Sequence, residues 1–326
     1  MIRQKGMALV LVLWVLSLLT IMAGSFALSM RRESSIIGGV KNNAQALAIA
    51  ESGIAMAEMM LLNPDPSKGW HADGSIYEIT AANAKVRVRL LSEKGKIDIN
   101  KAGEGLLKSL MASAPVDSDQ QDKLVNAIID WRDEDDLVHL EGAEKTEYKD
   151  AGLNYQPRNK PFQSIEELQM VLGMGKAVLN WIEPLVTVYS GQQQVTVQQA
   201  AKEVLQVMPG MDRELLDTYI AARLESAKNN LPVPPFPSSS GQNKPAGLSS
   251  PAGQNNALAV ISEALLNDLS RASISAVIKK SNDAQTTSTP FEVLKWQRVT
   301  ANKASLFTDA MNELLVKQYA EPELSN

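Results

Sequence analysis

Apolar residues run unbroken by charge from Met7 to Leu28, and the run closes at Arg31-Arg32. At 1.5 Å per residue these ~22 positions make a helix of roughly 33 Å, about the thickness of a bilayer's hydrocarbon core. The helical pattern does not stop there. Ala44, Leu47, Ala50, Ile54, Ala57 and Leu61 recur every three or four residues until Asn63-Pro64-Asp65-Pro66 breaks the rhythm. The pattern therefore predicts one rod over 7–62, about 84 Å long.

The period then changes. Ile76–Thr80 reads as a short strand, and Lys85–Leu90 alternates charged with apolar residues as a half-buried strand does. A hairpin-like turn at Glu93–Lys96 leads to a third alternating stretch, Lys96–Asn100. From Lys101 the pattern turns helical. Helices are predicted over Gly105–Ala114 and Asp119–Trp131, and over Ala177–Leu185, Gln198–Val207 and Asp212–Ala227. One more opens after Ser164, where Glu167 completes a capping box. An acidic loop fills 132–161, and Val195–Val197 is extended. Residues 229–256 are rich in Pro, Ser, Gly and Asn, so they read as a disordered linker. Beyond them, Ala257–Ser270 reads as a helix, Ile274–Lys280 and Phe291–Arg298 as a hairpin with Asn282-Asp283 in its turn, and Asn302–Tyr319 as a closing helix.

Strand signals thus precede residue 100 and return after about 271, with helices between. The expected class is α+β: a long N-terminal helix, a small antiparallel sheet, and a large helical domain inserted into that sheet. The expected boundaries are 1–6 leader, 7–62 helix with 7–28 transmembrane, 63–100 first part of the sheet, 101–228 helical insertion, 229–256 linker, and 257–326 second part of the sheet with the last helix.

The apolar run itself admits three readings. A secretory signal has an apolar region of about 7–15 residues before a small-residue cleavage site. This run is longer, although Ala23-Gly24-Ser25 offers small residues. A plain single-span anchor accounts for the hydropathy but needs no rod beyond it. The third reading uses the join between Gly6 and Met7. The basic leader Met1-Ile2-Arg3-Gln4-Lys5-Gly6, then Met7, then a long apolar helix resembles the prepilin leader of type IV pilins and type II secretion pseudopilins. That resemblance implies cleavage after Gly6 by a membrane prepilin peptidase, methylation of the new amino terminus at Met7, and retention of the apolar helix for packing in a filament. The family places Glu at the fifth mature position, where this chain has Leu11. A carboxylate in lipid needs a neutralising partner. Its absence is typical of the K-type minor pseudopilin, which is placed at the filament tip.

Further residues carry the same resemblance: Lys96-Ile97-Asp98-Ile99-Asn100-Lys101-Ala102, Asp130-Trp131-Arg132-Asp133, Gly142-Ala143-Glu144, Tyr148, Arg158–Phe162 and Glu167-Leu168. The implied function is a non-enzymatic minor pseudopilin. It would cap or initiate the pseudopilus with partners of the I and J types, anchored in the inner membrane with its head in the periplasm. Whether the head touches secreted proteins is left open by the resemblance.

Composition narrows the chemistry. The 326 residues contain no Cys, which excludes thiolate metal sites and cysteine catalysis, and only two His, neither in a nucleophile–base frame. The net charge of -5 disfavours a phosphate-neutralising surface. Gly173-Met174-Gly175 and Pro209-Gly210-Met211 resemble helix-hairpin-helix turns, which makes a membrane-tethered DNA-binding protein the alternative. Tight helix–helix turns account for them as well, so no nucleic acid is expected. The densest polar cluster comprises Asp130, Asp133, Glu134, Asp135, Asp136, Glu141, Glu144 and Glu147. By spacing alone it is a solvated acidic loop or a site for a hard cation, and the full EF-hand pattern is missing. The resemblance implies calcium, held by Asp133, Asp135, Asp136, Glu144 and Asn159.

Overall fold

The computed structural model describes residues 7–64, 69–81, 83–237, 248–249, 257–281, 289–299 and 305–320. Helix α1 runs unbroken from Met7 to Leu62, 56 residues. Its first half is exposed on all sides among the described residues, and the first buried side chain along the helix is Ala46. Inside the apolar run, Ser17 and Thr20 donate their hydroxyls to the carbonyls of Leu13 and Leu16 at 2.8 and 2.7 Å, so both hydroxyls are satisfied within the helix.

The second half of α1 lies on a six-stranded sheet. Strands β1 (Asp73–Ala81) and β2 (Ala84–Ser92) form a hairpin. Strands β7 (Ala257–Leu266), β8 (Arg271–Lys280) and β9 (Phe291–Val299) follow as an antiparallel meander joined to β2. Strand β10 (Leu315–Ala320) returns to pair in parallel with β1, giving the order β10-β1-β2-β7-β8-β9. Ala50, Ile54 and Ala57 of α1 pack on Val86, Val88, Val260, Ala264, Ile274 and Ala276. Small residues let the helix lie close. A Cβ on Gly53 would stand 2.2 Å from Ser262 Oγ and 2.9 Å from a Val86 methyl.

Between β2 and β7 comes a helix-rich segment with its own core. It holds β3 (Ile97–Asp98), α2 (Glu104–Met111), α3 (Ser118–Arg132), α4 (Lys145–Asp150), α5 (Lys176–Ile182), β4 (Val186–Thr187), β5 (Val195–Thr196), α6 (Lys202–Gln206), α7 (Arg213–Lys228) and β6 (Leu248–Ser249). Trp131 is fully buried at its centre, stacked on Phe162 with centroids 6.0 Å apart and tilted against Tyr148 at 6.1 Å. Asp98 fixes the entry. Its carboxylate accepts from Gly191 N at 2.7 Å, Ser190 Oγ at 3.0 Å and Asn100 N at 2.9 Å. Asn100 and Phe162 exchange side-chain and backbone bonds, and Arg132 donates to the carbonyls of Ile99 and Ala102.

This segment is tied to the sheet by two ion pairs, of which the first is buried on both sides. Arg223 of α7 pairs with Asp73 of β1 at 3.2 Å and donates to Ala200 O at 2.6 Å. Arg89 of β2 pairs with Glu203 of α6 at 2.9 Å. Ala201 and Tyr189 pack on the sheet face opposite α1, beside Ala257, Ala259 and Val277.

Several expectations are corrected. Ala257–Leu266 is a central strand rather than a helix. Both its faces are covered, so its sequence lacks the alternation that marks a half-exposed strand. Asn302–Tyr319 is not a helix: within its described residues a 3₁₀ turn at Asp309–Leu314 gives way to β10, whose pairing with β1 overrides local propensity. Glu93–Gly95 is a 3₁₀ turn, and β3 pairs in parallel with β4 instead of closing a hairpin. Ser164 opens a 3₁₀ turn at Ile165–Met170 without a capping box, because Glu167 pairs with Arg158 at 2.7 Å. Of the expected linker 229–256, residues 238–247 and 250–256 lie outside the described residues, and the described positions make contacts. Phe236 packs edge-on against Tyr219 at 4.9 Å, and Leu248–Ser249 pairs with Val195–Thr196.

Candidate functional site

Two features stand out as candidate machinery, the free half of α1 and the acidic loop after α3. The first is long and apolar enough to cross a membrane, and none of its apolar window is buried. Leu11 is 63% exposed on it. Met7 begins the described helix, while Gly6 lies outside the described residues.

The acidic loop leaves the C-terminus of α3, where Asp133 N still donates to Ile129 O at 3.0 Å. Asp130, fully buried, pins the loop. Its carboxylate accepts from Ala143 N at 2.7 Å and His139 N at 3.3 Å, and meets the His139 imidazole. Gly142 is required beside it, since a Cβ there would sit 2.0 Å from Asp130 Oδ2. Asn126 of α3 donates to Leu140 O at 2.7 Å. The loop then ends in α4, whose N-cap is Glu144, with the Glu147 carboxylate accepting from Glu144 N at 2.8 Å.

The five residues expected to hold a cation lie on this loop and on the segment that follows α4, whereas among the described residues the acidic and imidazole groups with ligand atoms within 4.8 Å of one another are Asp130, Asp133 and His139. Asn159, with a left-handed φ of 50°, donates to Asp135 O at 2.7 Å and Asp136 Oδ1 at 2.8 Å. Glu144 is buried, and its Oε1 has no hydrogen-bond partner; Asp133 Oδ1 is buried and unpartnered too. Burial first, then the charges of Asp130, Asp133, Asp136 and Asp135, push the Glu144 carboxyl up to about 7. Burial and the neighbouring Asp130 and Asp135 likewise raise Asp133. The buried, unpartnered oxygens of Asp133 and Glu144 fit a hard divalent cation, which would supply the missing partner and favour the ionised forms. Asp130's bonds to backbone make it the loop's anchor, a role that its spacing in the sequence does not reveal.

The two helix-hairpin-helix-like turns have structural partners. Gly173 takes φ +84° against Leu124, and Gly210 takes φ +71° ahead of Asp212, whose carboxylate caps α7 through Leu215 N at 2.8 Å. A carboxylate at that N-terminus repels phosphate.

A family model described as Type II secretion system (T2SS), protein K matches residues 84–191, from β2 through the acidic loop to the turn that Asp98 holds. Over that segment, about a third of its length, the chain is similar to the type II secretion system protein K family. It is 28% identical over 209 residues to the type II secretion system protein K of Klebsiella pneumoniae, covering 56% of this chain. It is 26% identical to that of Aeromonas hydrophila over the same share of the chain. The chain spans 62% and 63% of the lengths of these relatives. A chain in the crystal structure of the GspK-GspI-GspJ complex from the enterotoxigenic Escherichia coli type 2 secretion system superposes with a TM-score of 0.50 at 16% identity. That match covers 83% of this chain and 99% of the other, and it shows a shared fold.

Proposed function

We infer that this protein is the K-type minor pseudopilin at the tip of a type II secretion pseudopilus, an assembly subunit with no catalytic role. The observation that carries the reading is α1. One continuous helix offers a bare apolar half and a half seated on the sheet. Such a helix spans the inner membrane before assembly and packs against other helices after it. Cleavage between Gly6 and Met7 by the prepilin peptidase frees Met7 for methylation. The head then lies in the periplasm.

Leu11 supports the tip position. Elsewhere in a pseudopilus the carboxylate at this point meets the amino terminus of the subunit ahead. A subunit with leucine there needs nothing ahead of it. The head is broadened by the helix-rich segment docked on the sheet, a shape suited to ending a fibre. Partners of the I and J types then pack along α1, and assembly would begin from that complex. Calcium held by Asp133, Asp135, Asp136, Glu144 and Asn159 would stiffen the loop between α3 and α4 by satisfying its crowded carboxylates.

Co-expression with I- and J-type minor pseudopilins from the same secretion system tests the reading. The full chain is expected to co-purify with both, and Leu11→Glu is not expected to be needed for secretion. Secretion that proceeds unchanged when the gene is deleted would overturn it.

A further inference from the structure

Beside the acidic loop lies a cavity of about 620 Å³ to which the proposed function assigns no role. Its floor is apolar: Leu124 and Ala127 of α3, Ala143, and Leu172. Its rim carries three carboxylates, Asp117, Asp119 and Glu141, against a single cation, Lys123. Next to it the loop presents Leu137, Val138 and Leu140 to solvent, Leu140 at 88% exposure. Apolar residues on a surface are ordinary when scattered, but Leu137, Val138 and Leu140 cluster on the stretch that runs into the cavity lining at Glu141.

The exposure does not come from a slack loop. Leu140 O is held by Asn126 at 2.7 Å, Gly142 N donates to His139 O at 2.8 Å, and Asp130 binds His139 N and Ala143 N. On the opposite wall, Gln120 of α3 donates to Gly173 O at 3.2 Å. Glu141 is held at φ 59°, a left-handed conformation unfavourable for Glu, and this places it at the rim. Strain of this kind persists where surrounding bonds enforce it, and it gathers at binding sites.

We propose that this cavity and the Leu137–Leu140 edge dock a cationic amphipathic segment of a partner protein. Its apolar side chain enters over Leu124 and Ala127, and its Lys or Arg residues meet Asp117, Asp119 and Glu141. The charge argument selects this occupant, because an acidic or neutral apolar segment would leave the carboxylate rim without counter-charges. None of the three rim carboxylates belongs to the proposed calcium ligands, so their charge persists with the ion bound, and the proposal does not depend on that site.

The test uses the full chain in nanodiscs of phosphatidylcholine and a short fluorescein-labelled lysine–leucine peptide, read by fluorescence anisotropy. Saturable, salt-weakened binding is expected, with no comparable binding of lysine–serine or glutamate–leucine peptides. Leu140→Ser, and separately the combined Asp117→Asn, Asp119→Asn and Glu141→Gln protein, should each bind about tenfold more weakly. Leu140 is exposed, so its variant should melt as the parent does. The proposal is overturned if both variants bind like the parent, or if the lysine–serine peptide binds as well as the lysine–leucine one.

Discussion

At the scale of single residues, the contact that sets the distance between α1 and the sheet is Gly53 over Ser262. The Ser262 hydroxyl is buried without a hydrogen-bond partner, so it contributes nothing that an apolar side chain would not. Gly53→Ala should cost about 1–3 kcal/mol through overpacking against Ser262 and Val86. Ser262→Ala alone should be neutral or stabilising, and it should recover part of the Gly53→Ala loss. Denaturant melts of the four proteins in a double-mutant cycle measure this coupling. Strict additivity would show that the two side chains do not meet. Neither residue was legible as important in the sequence. Gly53 sits in a run of small residues, and the strand holding Ser262 reads as a helix until its neighbours are known.

At the scale of elements, legibility followed the patterns that packing leaves in the sequence. The rod could be read from its unbroken apolar run, α3 and β9 from exposed positions along their length, and β2 from its alternating charges, although β1, β2 and β8 are mostly buried. Strand β7 lost any such pattern because α1 covers one face and Tyr189 and Ala201 approach the other. Strand β10 depends on a partner more than 200 residues away in sequence, β1, and no local signal encodes such a pairing. The acidic loop shows both sides. The crowding of its carboxylates could be read. Its anchor Asp130, the short helix α4 within it and the cavity beside it arise only from folding onto α3. If calcium binds there, adding it to EDTA-treated protein should raise the melting temperature. At calcium one hundred times Kd the gain is about 2.7 kcal/mol. Glu144→Ala should abolish most of that shift while leaving the calcium-free protein folded. A melting curve and bound-metal count that ignore calcium would remove the site.

For the whole molecule, the pieces form one device. A helix bare for half its length carries a sheet, and the sheet carries a helix-rich segment locked on by Arg223–Asp73 and Arg89–Glu203. Arg223–Asp73 is buried on both sides, so removing either partner leaves an uncompensated buried charge, whereas Glu203 is half-exposed and its pair with Arg89 contributes less. The account's central claim is that α1 is neither a discarded signal nor a plain anchor but a processed assembly helix. N-terminal sequencing and mass measurement of the membrane-associated protein test it most directly. The account predicts a chain beginning at methylated Met7, and a Gly6→Leu protein that keeps its leader. A mature chain beginning at Met1, or after the small residues at 23–25, would contradict it.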